Sequence, residues 1–318
     1  MVTSVTMANP RILVVVGPTA SGKSVFCVRV AQILDGEIIS ADSRQIYTNI
    51  TIGTAKPTEK ERDSIPHHLI DHISLEKGFT AGQFGIEAGR IIKEIVTRKK
   101  VPVIVGGSGL YIQALIDGFF EGPSAPNEIR ERLYERLHKE GGAVLLDELR
   151  TIDPDIAWTM NPKTTHRIIR ALEIYECTGI PLSKHHSNQN REPRYNPFMV
   201  GLAWNRVQLY DRIDTRVDAM IERGLVDEVK QLKHRGYDES LNALRTVGYQ
   251  EVFAFLRGEY PEAEMIRLIK RNTRRYAKRQ LTWFRRDGRI HWYPISDESG
   301  IEITANLVAE DFRSFTSQ

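Results

Sequence analysis

The chain has 318 residues, with 44 Lys and Arg against 41 Asp and Glu, so its formal net charge is +3. This length suits about two domains, and 41% hydrophobic with 27% charged residues is ordinary for a globular protein. We expect no membrane partner, because no run approaches the roughly 18 apolar residues of a spanning helix. We also expect a cytoplasmic protein, because residues 1–10 lack signal-peptide features. The two cysteines exclude a disulfide scaffold or a Cys-based zinc cluster and suit a reducing compartment.

The first 120 residues alternate short apolar runs with helical stretches. The apolar runs at 12–16, 37–40 and 101–105 predict strands, and the stretches 23–34 and 80–98 predict helices between them. This alternation indicates βαβ units, and we therefore predict an α/β fold with a parallel sheet.

The pattern changes near residue 121. Residues 121–126 resemble a linker and are followed by helical patterning, while the polar segment 183–197 leads into a further predicted strand at 198–202. We predict a core of residues 1–120 and 196–318, mainly helical in its C-terminal part, that is interrupted by a helical insertion at 121–195.

A phosphate-binding motif follows the first predicted strand. The sequence Gly17-Pro18-Thr19-Ala20-Ser21-Gly22-Lys23-Ser24 matches G-x-x-x-x-G-K-[ST] and opens a predicted helix. Backbone N–H groups of such a loop surround a phosphate, Lys23 adds a charge, and Ser24 can coordinate Mg²⁺. The motif predicts a P-loop NTPase-like fold and a di- or triphosphate ligand. No Asn-Lys-x-Asp guanine motif occurs, which leaves a kinase, an ATPase or another phosphate-handling transferase.

Asp42 follows the second predicted strand, at the sheet edge where the phosphate loop also lies. A carboxylate there can be a general base or a ligand of metal-bound water, and it can equally be a turn residue. The segment 106–111 repeats the strand-to-turn pattern, which suits either a close substrate approach or a turn without a ligand. His68 and His72 stand four residues apart, but Pro66 argues against a helix through them, so we expect structural histidines.

Most of the positive charge lies in one segment. Residues 267–289 contain ten basic residues and one acidic residue, a charge of +9, which leaves −6 for the rest of the chain. Apolar positions recur there at three- and four-residue steps, which predicts a helix with one docked face and one basic face. Charge alone is equally typical of a solvated helix, but beside a phosphate loop it favours an RNA partner.

These motifs together resemble the tRNA dimethylallyltransferase (tRNA isopentenyltransferase) family. The matching segments are 17–24, 42–47, 53–57, 106–112, 167–173, 212–220, 245–249 and 278–285. One departure is His166, where the family usually has Gln before the two arginines of Arg167-Ile168-Ile169-Arg170.

The resemblance implies transfer of a dimethylallyl group from dimethylallyl diphosphate to N6 of adenosine 37, 3′ of the anticodon of tRNA, by a monomer. Asp42 would be the base, Ser108 would support the adenine, and Arg216, Lys23 and Ser24 with Mg²⁺ would stabilise the diphosphate. The residues implied to bind the tRNA anticodon arm are Asp42, Ser43, Arg44, Gln45, His166, Arg167, Arg170, Arg245, Gly248, Tyr249, Arg274 and Lys278.

Three alternatives remain at this point. One is a small-molecule kinase that uses ATP on the phosphate loop, and another is an enzyme that prenylates free adenine nucleotides, which the basic segment disfavours. The third is a non-enzymatic, ATP-gated RNA-binding module.

Overall fold

The computed structural model describes residues 9–118, 122, 126–187 and 194–317. The elements up to residue 118 are β1 (Arg11–Val16), α1 (Lys23–Leu34), β2 (Gly36–Ser40), α2 (Glu59–Ser64), β3 (His67–His68), α3 (Ala81–Thr97), β4 (Val101–Gly106) and α4 (Gly109–Ile116). Next come α5 (Asn127–Glu140), α6 (Gly142–Ile152), α7 (Pro154–Ala157), α8 (Thr165–Thr178) and α9 (Leu182–Ser187). The last elements are β5 (Asn196–Trp204), α10 (Arg206–Glu222), α11 (Leu225–His234), a 3-10 turn (Asn242–Leu244), α12 (Tyr249–Leu256), α13 (Glu262–Phe284), β6 (Ile290–Ile295) and α14 (Glu298–Ser317).

The chain divides into two compact units, one of residues 1–117 with 193–318 and the other of residues 118–192. Most of the predicted linker at 121–126, and residues 188–193 of the polar segment at 183–197, lie outside the described residues. None of the helices described is long and apolar enough to cross a membrane.

The larger unit is built on a parallel sheet whose strands, in the described residues, lie in the order β3-β2-β4-β1-β5-β6. β1 is central and fully enclosed, which explains its unbroken apolar run. Ile12, Val14 and Val16 pack on one side with α3 and α13, and Leu13 and Val15 pack on the other side with α1 and α14. The predicted α/β fold with a parallel sheet is confirmed.

The structure contains two strands, β3 and β6, that the sequence patterns do not predict. β3 has two residues, both histidines, so it carries no periodic signal. β6 lies at the sheet edge, and its Pro294 is acceptable there although it weakens a sequence signal for a strand. His68 of β3 contacts Glu37 through Nε2 at 2.8 Å, and His67 Nδ1 lies 2.7 Å from the carbonyl of Ile65. The contact with Glu37 gives His68 a structural role, as expected from the sequence.

The smaller unit is helical and has a core of its own. Its buried apolar side chains come from α5, α6 and α8 and include Leu133, Leu145, Leu149, Ile168 and Leu172. The smaller unit also contains a buried carboxylate: Glu173 is 2% exposed and accepts hydrogen bonds from Arg130 and Arg170.

Candidate active site

Three loops leave the sheet side by side at the carboxyl edge. Val16 of β1 is in register with Gly106 of β4, and Ser40 of β2 is in register with Val105. Beyond the strands, Ser108 N donates to the carbonyl of Ala41 at 3.2 Å. A Cβ on Gly106 would lie 2.0 Å from that carbonyl, so this close approach requires glycine. The phosphate loop, the Asp42 loop and the Gly107–Ser108 turn are therefore neighbours.

The phosphate loop ends in an uncapped helix N-terminus. Gly22, at φ 81°, is the N-cap of α1 and has no side chain to satisfy the first amides of the helix. These amides and the helix dipole form a site suited to an anion. The loop therefore offers the backbone donors that the sequence motif predicts for a phosphate.

Two side chains from later in the chain hold the outer side of this loop. Trp204 Nε1 donates to the carbonyl of Ser21 at 2.9 Å, and Arg212 Nε donates to the carbonyl of Ala20 at 2.9 Å. The guanidinium of Arg212 also lies over the Trp204 ring, 4.2 Å from its centroid. Ala20 has the left-handed φ of 63°, which is unfavourable for a residue with a Cβ, and the bond from Arg212 helps to maintain it.

Lys23 bonds to the backbone of the loop in which it lies. Its Nζ donates to the carbonyl of Pro18 at 2.6 Å. Burial, followed by the nearby charge of Arg216, lowers the pKa of Lys23 to about 8, although the carboxylate of Asp42 opposes the shift. An anion at this loop would favour the charged form of Lys23.

Asp42 has a structural role and also faces the cavity. Its Oδ1 accepts from the amides of Arg44 at 2.8 Å and Gln45 at 3.3 Å, so the turn interpretation is correct. Its Oδ2 has no hydrogen-bond partner among the described residues. The hydroxyl of Ser108 accepts from Ser43 N at 3.0 Å and so supports the Asp42 loop directly.

Arg216 faces the same cavity from α10. Burial, followed by the positive charges of Arg212 and Arg223, lowers its pKa, while Asp42 opposes the shift. Arg223, which sequence reasoning missed, also lines the cavity. It lies just beyond the end of α10, seven residues after Arg216 and therefore on the same side of the helix axis. The seven-residue spacing on a predicted helix is the signal that could have found it.

The cavity has a volume of about 760 Å³ and lies within the larger unit. It is lined by the phosphate loop, the Asp42 loop, residues 53–58, one face of α10 and one face of α13. Among the side chains at its surface are Lys23, Ser24, Asp42, Arg44, Gln45, Arg216, Arg223, Tyr276 and Gln280. Among the described residues, no group of three or more His, Cys, Asp or Glu could hold a metal ion.

Several residues predicted to bind tRNA hold the neighbouring backbone in this structure. Arg44 donates to the carbonyls of Asn242 and Arg245. The side-chain amide of Gln45 donates to the carbonyls of Thr54 at 3.2 Å and Ala55 at 3.1 Å. These side chains connect the Asp42 loop to two other segments near the cavity.

Tyr249 is fully enclosed, and its ring is therefore not available for direct contact with RNA in this structure. Its hydroxyl donates to Glu228 Oε1 at 2.5 Å, and Glu228 in turn accepts from the amides of residues 51–53. A Cβ on Gly53 would lie 2.4 Å from the ring. Gly248, just before α12, has a φ of 96° that favours glycine. Tyr249 can contribute to a tRNA site only through the loop that it supports.

Most basic residues of α13 and of the segment that follows it fall into two groups, and half-buried Arg271, which donates to Asn272, belongs to neither. Arg267, Lys270 and Arg274 pair with Glu264, Asp218 and Asp214, and Arg289 beyond the helix pairs with Asp117 and Asp287. We define the free basic face as the exposed residues that have no ion pair with an acidic side chain in the described part of the chain. Its members are Arg275, Lys278, Arg279, Arg285 and Arg286. Of the two α13 residues predicted to bind tRNA, Lys278 belongs to this face and Arg274 does not.

In the smaller unit, the three predicted residues lie on α8. His166 and Arg167 are exposed, and His166 Nδ1 lies 2.9 Å from the hydroxyl of Tyr134. Arg167 donates to the hydroxyl of Thr159 at 3.1 Å, and Arg170 donates to Glu173 at 3.2 Å.

The parallel sheet with a phosphate loop after its central strand defines a P-loop NTPase-like α/β protein, as predicted. Residues 45–287 match the family model described as IPP transferase. The chain is 48% identical over 290 residues to tRNA dimethylallyltransferase 1 of Pelobacter propionicus, covering 90% of this chain and 94% of that protein. It is 44% identical over 304 residues to the tRNA dimethylallyltransferase of Alkaliphilus oremlandii, covering 95% and 97%.

Solved structures agree with these relatives. The full-length tRNA isopentenylpyrophosphate transferase of Bacillus halodurans superposes with a TM-score of 0.71 at 38% identity, over 98% of this chain and all of that chain. A eukaryotic dimethylallyltransferase acting on tRNA gives a TM-score of 0.83 at 30% identity, over 96% and 80%. The chain belongs to the tRNA dimethylallyltransferase family and is an enzyme of the prenyltransferase class. The resemblance seen in the sequence is confirmed, and family membership decides against the kinase and the non-enzymatic module.

Proposed function

We propose that the protein transfers a dimethylallyl group from dimethylallyl diphosphate to N6 of adenosine 37 in tRNA and releases diphosphate. The observation that carries this proposal is the meeting of Lys23, Arg216 and Asp42 at one cavity, where each cation interacts with the carboxylate. A site with cations for a leaving diphosphate and a carboxylate for an amine proton suits alkyl transfer to nitrogen.

The reaction forms one bond and breaks another. The N6 lone pair attacks C1 of the dimethylallyl group, and the electrons of the C1–O bond pass to the departing diphosphate. The adenine amine is a weak nucleophile because its lone pair is delocalised, so its proton must leave as the new bond forms. Asp42 accepts that proton, and its Oδ2 has no other hydrogen-bond partner among the described residues.

Negative charge develops on the diphosphate as it leaves. The amides that begin α1, Lys23 and Arg216 stabilise that charge in a partly enclosed cavity. Thr19 adds a hydroxyl to the same cavity lining.

Mg²⁺ fits this site through the hydroxyl of Ser24, which lines the cavity and has no hydrogen-bond partner among the described residues. Ser24 would hold Mg²⁺, and the bound ion would supply positive charge that offsets the charge developing on the diphosphate.

The tRNA reaches the cavity from the surrounding surface, and the target base leaves its stack to enter. The free basic face of α13 provides charges for the RNA backbone, and His166 and Arg167 provide exposed polar groups on the smaller unit. We propose that the monomer acts in the cytoplasm, where both free cysteines, Cys27 and Cys177, would remain reduced.

The test is nucleoside analysis of unmodified tRNA after incubation with the protein, dimethylallyl diphosphate and Mg²⁺. We expect N6-dimethylallyladenosine at position 37, and none when the diphosphate is omitted. A parallel incubation with labelled ATP should leave the ATP intact. Modification of free adenine nucleotides but not of tRNA would contradict the proposed acceptor.

A further inference from the structure

Gln280 is a buried polar residue on the side of α13 opposite the free basic face. It is 6% exposed, and both ends of its side-chain amide are used. Its Oε1 accepts from Thr19 N of the phosphate loop at 2.8 Å, and its Nε2 donates to the carbonyl of Gly107 at 3.0 Å. One side chain therefore joins the loop after β1 to the loop after β4.

The surroundings are built for this side chain. A Cβ on Gly107 would lie 2.1 Å from Nε2, so a side chain there would displace the amide of Gln280. A carboxamide offers one acceptor and one donor about two bonds apart, which matches one backbone N–H and one backbone C=O. A glutamine within the apolar docked face of a helix is otherwise unfavourable, because a buried polar group costs free energy unless it is hydrogen-bonded.

The two loops that Gln280 joins carry the two halves of the reaction. Thr19 belongs to the loop proposed to hold the diphosphate. Gly107 precedes Ser108, whose hydroxyl accepts from Ser43 N beside the proposed base Asp42. The distance between these loops therefore sets the distance between the prenyl donor and the group that accepts the amine proton.

We propose that Gln280 is a positioning residue that holds the diphosphate loop and the acceptor loop at reacting distance. This assignment rests on the proposed function. Alkyl transfer requires the reacting atoms to approach to about 3–3.5 Å, and a displacement of about 1 Å lowers rates by about 100-fold. Gln280 touches neither reacting group in this role and acts through Thr19 and Gly107.

The experiment compares Gln280→Leu and Gln280→Glu with the wild-type enzyme, and uses Gln231→Leu, an exposed glutamine on α11, as the matched control. Gln280→Leu keeps the approximate volume and removes both hydrogen bonds. We expect kcat to fall by about 10- to 100-fold, with the Kd for tRNA within about twofold of wild type. Gln231→Leu should leave both values unchanged.

Gln280→Glu tests the hydrogen bonds through the pH dependence of kcat, which would not change if Gln280 served only to fill space in the core. In its neutral form the introduced carboxyl group can accept from Thr19 N and donate to the Gly107 carbonyl, whereas in its ionised form it repels that carbonyl. Burial raises the pKa of such a group. The ratio of variant to wild-type kcat should therefore be highest at acid pH and fall as pH rises. Lys23 and Tyr276 face the same cavity in both proteins, and taking the ratio cancels the pH dependence that wild type and variant have in common.

Three results would overturn the assignment: a Gln280→Leu kcat within about twofold of wild type, a tRNA Kd that rises as much as kcat falls, or a Gln280→Glu ratio that does not change with pH. If Gln280→Leu does not fold, the pH dependence of Gln280→Glu decides alone. If the wild-type enzyme itself does not prenylate tRNA, the proposed function fails. If wild type is active and the variants match it, only the role of Gln280 fails.

Discussion

At the scale of single residues, the two oxygens of Asp42 differ in their hydrogen bonds. Oδ1 accepts from the amides of Arg44 and Gln45 in a turn, and Oδ2, which has no hydrogen-bond partner among the described residues, is the oxygen that we propose as the base. Removal of the whole carboxylate would disturb both roles. A test of the base should therefore keep the turn intact.

Asp42→Asn meets that requirement, because the amide oxygen can still accept from the two backbone amides. We expect kcat to fall by about 10²- to 10⁴-fold, since the variant cannot take the amine proton. The Kd for tRNA should change little, and exposed Glu222→Gln should leave both values as in wild type. Measurement of single-turnover rates and tRNA binding separates the two effects; equal losses in both would count against the base.

Tyr249 shows what a sequence motif cannot reveal about a residue. Its match to the family segment 245–249 predicted a tRNA contact, but the ring is fully buried and bonded to Glu228. Burial depends on Gly53 and Glu228, which lie far away in sequence. For Gln280 the sequence shows a polar residue on the apolar stripe of a helix, which is unusual. Only the structure shows its partners, Thr19 and Gly107.

At the scale of elements, α13 carries basic side chains along its length, but only some of them are without a carboxylate partner in the described residues and could contact RNA phosphates directly. Arg267, Lys270 and Arg274 are already paired with carboxylates. RNA phosphates would have to displace those partners, whereas Arg275, Lys278, Arg279, Arg285 and Arg286 meet no such competition among the described residues. Sequence charge alone cannot distinguish these two groups.

Lys278→Gln with Arg279→Gln tests the free basic face, and Arg267→Gln with Lys270→Gln is the matched control with the same loss of charge. Each phosphate contact adds about 0.7–0.9 to the slope of log Kd against log salt concentration. We expect the first pair to reduce this slope by between one and two and to weaken tRNA binding at low salt. The second pair should change the slope by less. Equal slopes for the two pairs would remove the free basic face from the RNA interface.

Glu37 ties three elements together. It is 3% exposed on β2 and accepts from Arg98, just after α3, at 3.0 and 2.7 Å, as well as contacting His68 of β3. Burial favours its neutral form, but the hydrogen bonds and charges of Arg98 and His68 outweigh this effect and lower the pKa of Glu37. The ionised form is therefore the one that stabilises the fold.

Glu37→Gln should lower the free energy of unfolding by about 1–3 kcal/mol near pH 7, because it weakens bonds from a charged donor. A folded-state pKa below the unfolded value gives stabilisation that is fully present above the unfolded pKa of Glu37 and is lost as pH falls through the folded pKa. The difference between wild type and variant should therefore shrink below pH 4.5, the ordinary value for this group. Urea unfolding of both proteins at pH 7 and at pH 3.5 measures this difference in the free energy of unfolding. The same difference at both pH values would contradict a role for the ionised form of Glu37.

The elements themselves were predictable where pattern and burial coincide. β1 and β4 are buried apolar runs that composition marks, whereas β2 is buried over all five residues although only Ile38 and Ile39 among them are apolar. β3 depends on its neighbour β2 and on Glu37, and β6 depends on an edge position that no local pattern specifies. β3 and β6 are therefore stabilised by pairing with β2 and β5, which the sequence of each strand alone does not reveal.

At the scale of the whole molecule, the two compact units have separate cores. Leu149→Ala removes a fully buried side chain from the smaller unit, and Ile92→Ala does the same in the larger unit. Either change should cost about 2–5 kcal/mol in its own core. We expect Leu149→Ala to leave the Kd for dimethylallyl diphosphate within about twofold of wild type and to weaken tRNA binding. Calorimetric binding of both ligands checks this, and loss of diphosphate binding would show that the smaller unit is needed for that site.

The phosphate loop illustrates how an early motif depends on late sequence. Its residues are complete by Ser24, yet the side chains that hold its shape are Trp204, Arg212 and Gln280, and β1 itself pairs with β5 beyond residue 195. During synthesis from the N-terminus, a nascent chain therefore carries the motif long before it can form the site. Closing contacts across such sequence distances is slow, so the loop is expected to be among the last parts of the protein to become competent for its ligand.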